Sequence, residues 1–385
     1  MKNVIMISMI MIMTALLCAC GTSEARQSSG EQTTEAAENA TARADAGQGG
    51  DADADTAQMN TGQSGDVGTS AAQPDAGQGE DADATAARAN TQTALFTQDT
   101  TVGEVIHDPA FGDFGRLLFP VDRYISEDMT LADISSSDVY VWYSNIDADK
   151  TVEIVNNLKT RAGNGEQVFY NIYSDDEIEE DASRADTGLF FFKGDPGAKF
   201  AIMNAGGGFM YVGAMHDSFP HALEVSKKGY NAFALIYRPD YAYEDLAQAI
   251  AYIYDHAEEL QVDKEGYSLW GGSAGARMAA ELGNASYGPA YYGRPDIPQA
   301  AAVIMQYTGY SDASPQDAPT YACVGTNDGI ASWRTIQRRL ETLEGYGIPT
   351  EFHVYNGLRH GFGLGTGTVA EGWINDAVAF WEAQM

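Results

Sequence analysis

Gly271-Gly272-Ser273-Ala274-Gly275 places a serine among small residues, and Gly357-Leu358-Arg359-His360-Gly361-Phe362-Gly363 places a histidine in a second glycine-rich segment. A serine hydroxyl is a weak nucleophile until a neighbouring imidazole takes its proton, and the imidazole needs an acid to hold its tautomer and stabilise its cation. Asp328, in Gly325-Thr326-Asn327-Asp328-Gly329, can be that acid, with Asp312 as the alternative. A fourth segment, Ala205-Gly206-Gly207-Gly208-Phe209, exposes backbone N–H groups. Those of Gly207 and Gly208, with that of Ala274, are candidate donors to the negative oxygen of a tetrahedral intermediate, each worth about 3 kcal/mol. The combined chemistry is acyl transfer through a serine ester.

Such residues must be brought together by elements that end at one edge. β-type runs cover Phe200 to Asn204, Asn231 to Tyr237, Gly266 to Trp270, Ala301 to Tyr307, Thr320 to Val324 and Thr350 to Tyr355, with two more at Gln167 to Tyr173 and Gly188 to Lys193. Helical patterns fall between them at His216 to Lys228, Glu244 to Leu260, Ala274 to Leu282, Ser332 to Tyr346 and Val369 to Gln384. Alternating strand and helix predicts an α/β domain with a mostly parallel sheet covered by helices on both faces. In such a sheet ligands sit beyond the carboxyl ends of the strands, and each of the four segments directly follows a strand. Serine, acid and histidine then occur in the chain order of a strand-to-helix nucleophile turn.

These residues resemble the α/β-hydrolase superfamily, in the esterase and lipase branch with an HGGG-type oxyanion loop, close to acetylxylan-type and acetylesterase-like members. The resemblance spans about 167–385 and implies an eight-stranded α/β-hydrolase fold. It also implies hydrolysis of a carboxylic ester through Ser273, His360 and Asp328, without metal or cofactor. One position departs from the pattern: Ala205, preceded by Asn204, stands where the loop histidine would be, a residue that orients the loop in those relatives. Two other readings are kept: a serine peptidase of the prolyl-oligopeptidase type, and a surface binding protein on a hydrolase fold. Residues 95–165 are too short for the propeller such peptidases carry, and the intact serine, acid and histidine speak against a decayed site.

Phe209, Tyr307 and Thr308 are candidate substrate contacts, as is Trp333. Tyr287, Tyr291, Tyr292 and Arg294 read equally as a pocket wall or an ordinary loop, His216 and His221 as packing or surface residues with pocket lining as the alternative, and Asp255 and His256 as solvated. A helix is expected at Ala148 to Ala162, and the rest of 95–165 reads as a cap or an N-terminal extension.

The remaining sequence places the domain. Lys2, the apolar run Val4 to Leu17 and Cys18-Ala19-Cys20-Gly21 have the form of an export signal, and Leu17 to Cys20 resemble a bacterial lipobox with Cys20 as the lipidated residue. Acyl chains there would hold the protein on the outer face of a bacterial membrane; an unused lipobox would release it. From Gly21 to residue 94 the chain is polar and poor in aliphatic and aromatic residues, with Asp45 to Ala57 repeated at Asp75 to Ala87, so it is expected to be a disordered tether. The third cysteine, Cys323, sits in an apolar run and reads as a core residue, which excludes a disulfide framework and a cysteine-rich metal site. Of the net charge of −33, the tether carries −10 (13 acidic against 3 basic side chains) and residues 95–385 carry −24 (42 against 18). Both parts repel nucleic acid and anionic lipid, so a neutral or cationic substrate is the easier one to accept; the resemblance implies a small-molecule or carbohydrate ester as the partner.

Overall fold

The computed structural model describes residues 94–385. The signal, Cys20 and the tether lie outside the described residues. Eight strands form one sheet: β1 (Phe169–Tyr170), β2 (Gly188–Phe192), β3 (Lys199–Asn204), β4 (Asn231–Ile236), β5 (Asp263–Gly272), β6 (Ala302–Gln306), β7 (Thr320–Gly325) and β8 (Thr350–Tyr355). Their order is β1-β2-β4-β3-β5-β6-β7-β8, with the first two pairings antiparallel and all others parallel. This is the α/β-hydrolase fold. The central strands β3, β4, β6 and β7 are almost wholly buried, as their unbroken apolar runs require when both faces are covered.

One helical layer combines Phe219–Ser226 and Trp373–Glu382, and the other combines Ala242–Asp255 with Ala274–Leu282. The crossover after β3 is two short helices, Ala214–Asp217 and Phe219–Ser226, where the sequence pattern gave one. Pro220 lies in the first turn of the second, a position that a ring without N–H tolerates, whereas the interior of a continuous helix does not. The strand expected over Gln167 to Tyr173 shrinks to two residues. The last helix starts at Trp373, after turns with positive φ at Gly363, Gly365, Gly367 and Gly372.

Residues 94–147 are an extension built of short helices, not a separate cap. Phe96, Val105, Phe111, Leu118 and Ile134 share the core with the sheet, and the helix Ala148–Gly163 packs on Phe219–Ser226. The segment after Tyr140 then crosses the carboxyl edge of the sheet: Ser144 N–H donates to the carbonyl of Gly361 (3.0 Å), next to His360. No helix among the described residues is long and apolar enough to cross a membrane.

Candidate active site

Ser273 sits between β5 and the helix Ala274–Leu282, with φ 51° and ψ −113°. A non-glycine residue held at positive φ stores roughly 1–3 kcal/mol of strain, sustained only where the surroundings enforce it. Here they do. Ser273 N–H donates to the carbonyl of Gln306 (2.8 Å), while a Cβ on Gly271 would overlap Gly275, and one on Gly275 would overlap the carbonyl of Asn204. Only glycine at both positions lets the helix start this close to the strand edge.

His360 is 7% exposed and lies between the other two residues. Its Nε2 is 3.0 Å from Ser273 Oγ and its Nδ1 is 2.8 Å from Asp328 Oδ2. An ionised carboxylate only accepts, so Nδ1 carries the proton and Nε2 is free to take the serine's. The other Asp328 oxygen accepts from the N–H groups of Ile330 (2.8 Å) and Ala331 (2.7 Å), which fixes the carboxylate, and its side chain is fully buried. Asp312 is exposed and takes no part in this chain of contacts.

The glycine loop runs beside Ser273. Gly207 and Gly208 have φ of 133° and 63°, and neither their N–H groups nor that of Ala274 donates to an acceptor among the described residues. The N–H of Gly206 is committed: it donates to Asp217 Oδ2 (2.5 Å). Asp217 also accepts from the hydroxyls of Tyr143 (3.0 Å) and Tyr307, and it is 1% exposed. Cβ atoms on Gly206 and Gly272 would meet its carboxylate, so Asp217 lies directly behind both the glycine loop and the serine turn. Burial, then the charge of Asp217, push the Tyr143 and Tyr307 hydroxyls well above their ordinary range, which keeps both as neutral donors. Ala205 is buried, and Asp217 provides the anchor at the loop that lacks a histidine.

Two clefts flank the serine. One of about 460 Å³ is lined by Gly208, Phe209, Ser273, Ala274, Thr308 and Asp312, with Arg277, Tyr310 and Ser311 completing the wall. A wider one of about 840 Å³ is lined by His360 with Trp142, Asn145, Asn327, Ile330 and Arg359 among others. Phe209 and Thr308 thus stand in the smaller cleft. Tyr307 does not, a correction to its expected substrate contact. It is fully buried, its hydroxyl is consumed by Asp217, and its ring packs on His360 (5.1 Å between centroids) and Phe362.

The other polar candidates lie elsewhere. Tyr291 stacks on Tyr243, Arg294 pairs with Asp255 and Asp296, and none of Tyr287, Tyr291, Tyr292, Arg294 or Trp333 lines either cleft. His216 and His221 are buried packing residues, not surface ones; burial pushes His216 down to about 3 and lowers His221. Cys323 is in the core, where burial raises its thiol. Among the described residues no group of three His, Cys, Asp or Glu is arranged to hold a metal ion.

Sequence reasoning missed Asp217, Tyr143 and Trp142. A single carboxylate in the stretch Ala214 to Leu223, which is otherwise Ala, Met, Phe, Pro and Leu with His216, Ser218 and His221, was the available signal for the first. Trp142 has φ 80°, stacks on Tyr211 (5.8 Å, 18°) and touches the glycine loop at Gly208. Nothing in its local pattern announces that.

Replacing Asp217 by asparagine turns one acceptor atom into a donor facing hydroxyl or N–H groups. The expected result is a kcat about tenfold to hundredfold lower with KM nearly unchanged, because the loop's donors act on charge that develops after binding. Ester kinetics would check it, and a proportional rise in KM alone would contradict this positioning role.

Residues 193–290, from the end of β2 through the serine turn, match the family model described as BD-FAE. No curated protein matches the chain. Among solved structures, a thermophilic esterase from Thermogutta terrifontis shares 20% identity over 55% of this chain and 89% of its own (TM-score 0.46). An acetyl ester-xyloside bifunctional hydrolase from Caldicellulosiruptor lactoaceticus shares 18% over 56% and 95% (TM-score 0.47). A sugar hydrolase from Lactococcus lactis shares 20% over 51% and 94% (TM-score 0.43). By its strand order and the serine turn after β5 the chain carries an α/β-hydrolase fold, and within it residues 193–290 match BD-FAE, a family of α/β-hydrolase type.

Proposed function

We propose that the protein is a serine carboxylesterase that hydrolyses small acyl esters, with a carbohydrate as the alcohol partner. The observation that carries this reading is the linked set Ser273 Oγ, His360 and Asp328 at 3.0 and 2.8 Å, beside uncommitted N–H groups of Gly207, Gly208 and Ala274. His360 Nε2 takes the serine proton as Oγ attacks the ester carbonyl. The carbonyl oxygen becomes an anion and is met by the loop and helix N–H groups. As the intermediate collapses, His360 returns the proton to the departing alcohol oxygen and leaves an acyl-serine. A water, deprotonated by the same imidazole, then releases the acid and restores Ser273. The imidazolium formed in each half-reaction is stabilised by Asp328, which stays ionised.

Preference for a small acyl group rests on the smaller cleft. Its walls include Arg277, Thr308, Ser311 and Asp312, which offer an alkyl chain little of the roughly 0.8 kcal/mol per buried CH₂ that drives long-chain selectivity. With p-nitrophenyl esters from C2 to C10, kcat/KM is expected to be highest at C2 to C4 and to fall beyond. A steady rise toward C10 would contradict the acyl assignment, and aminoacyl p-nitroanilides cleaved faster than esters would replace it with a peptidase. The exposed face of Trp142 in the wider cleft supports a sugar, since indole offers a flat apolar platform with a polar edge. Acetylated xylan belongs in the same screen.

The reading extends to location. Cys20 anchors the enzyme by acyl chains to the outer face of a bacterial membrane, on the strength of Leu17-Cys18-Ala19-Cys20. Metabolic labelling with a palmitate analogue is expected to mark the full chain and to be lost in Cys20→Ser. Equal labelling of the two would refute the anchor.

A further inference from the structure

The alcohol that leaves during hydrolysis must lie on the side of His360, because Nε2 hands it a proton. With the leaving oxygen facing His360 and the carbonyl oxygen facing the N–H groups, the acyl part is left the other cleft at Ser273, the one lined by Phe209, Thr308 and Asp312. The wider cleft is therefore the leaving-group cleft and the smaller one the acyl cleft.

The charge of the leaving-group cleft is opposite to that of the domain. Residues 95–385 carry 42 acidic against 18 basic side chains, yet no carboxylate side chain lines this cleft. Asp328 lies near it, but its side chain is fully buried and its oxygens are taken by His360 and two backbone N–H groups. The cation in the wall is Arg359, next to His360 in sequence and exposed. Arg116, Arg161, Arg184, Arg238, Arg277, Arg294 and Arg339 each pair with a carboxylate, whereas Arg123, Arg334, Arg338 and Arg359 pair with none among the described residues, and of these four Arg359 lines the cleft. Arg359 has no ion pair and its guanidinium makes no hydrogen bond among the described residues. The net charge of the domain argues against anions only at long range, since exposed charges are screened beyond about 8 Å at physiological ionic strength. Within the cleft, Arg359 sets the sign.

Resting on the esterase reading, we propose that the leaving alcohol carries a carboxylate: the substrate is an acylated uronic acid, its carboxylate held by Arg359 and its ring on Trp142. A guanidinium presents its donors in a planar fork that matches a carboxylate with two parallel hydrogen bonds. Hydrolysis leaves that carboxylate untouched. The scissile bond is the acyl ester of a ring hydroxyl, and the hydroxyl oxygen takes its proton from His360.

The test compares two acetate esters with leaving groups of similar basicity, phenyl acetate and 3-acetoxybenzoate, which differ by the carboxylate. The sugar pair is methyl glucoside and methyl glucuronoside, each mono-acetylated at the same hydroxyl. With the full chain, kcat/KM is expected to favour the carboxylate member of each pair by about tenfold to hundredfold, the range of one charge-assisted hydrogen-bonded pair. Arg359→Gln should bring that ratio to one or below, Arg359→Lys should keep part of it, and Arg359→Glu should invert it. Because the readout is a ratio within one protein, a general loss of activity does not imitate the result. A ratio equal in the parent and Arg359→Gln, with all esters hydrolysed, overturns the proposal and leaves the esterase reading standing. No hydrolysis of any of the esters by the parent protein overturns both.

Discussion

Replacing Ser273 by alanine is expected to lower kcat for p-nitrophenyl acetate by about five to six orders of magnitude, the scale seen when a serine nucleophile is removed from a working triad. Oγ is the atom His360 Nε2 faces at 3.0 Å, and Ser273 lines the acyl cleft together with Gly208 and Ala274. Without it no acyl-enzyme forms, and the residual rate is what binding and the oxyanion donors give to attack by water. The same position makes a prediction of opposite sign for stability. Ser273 is held at φ 51°, so Ser273→Gly removes a side chain from a conformation that glycine adopts freely. It should unfold at a higher temperature than Ser273→Ala by about 1–3 kcal/mol of relieved strain, while being as inactive. Kinetics and thermal denaturation of the two variants check both parts, and equal melting points would show that the turn is not strained.

Asp328→Asn is expected to cost about 10⁴ in kcat while leaving the fold intact, by the reversal of a tautomer. The N–H groups of Ile330 and Ala331 would claim the amide oxygen, as they now claim Asp328 Oδ1. The amide nitrogen would then face His360 Nδ1, where the carboxylate oxygen now sits at 2.8 Å. An NH₂ group donates, so Nδ1 must accept, the proton moves to Nε2, and the imidazole can no longer take a proton from Ser273. Asp312→Asn should cost far less, since Asp312 lies in the acyl cleft and not on the imidazole. A comparable loss in both variants would contradict the assignment of the acid.

The triad was legible in the sequence because each member directly follows a β-type run: Ser273 and Asp328 follow strands that are buried at their carboxyl ends, and His360 follows β8, a half-buried edge strand in which Phe352, Val354 and Tyr355 mark the run. β3, β5, β7 and β8 fall where the β-type runs fall, and Gly271, Gly275 and Gly325 mark places where the next segment passes too close for any side chain. Residues 95–147 were not legible in the same way. Their helices are short, with caps such as Thr101 and Thr130 that no long apolar period accompanies, and they are held by contacts distant in sequence. Tyr143 reaches Asp217 across 74 residues and Trp142 reaches Gly208 across 66, distances over which periodicity carries no information. Tyr307 was misplaced for a related reason. A tyrosine ending a strand at the carboxyl edge has the position of a substrate contact, and only the buried carboxylate behind it reveals that its hydroxyl turns inward.

The central claim, that His360 and Asp328 make Ser273 a nucleophile, is tested most directly by treating the full chain with a fluorophosphonate and locating the adduct by peptide mass spectrometry. The account predicts one stoichiometric adduct, on Ser273, that is abolished in Ser273→Ala and formed far more slowly in His360→Ala. Failure to label the folded parent protein, labelling on another residue, or equal labelling rates in the parent and His360→Ala would contradict it.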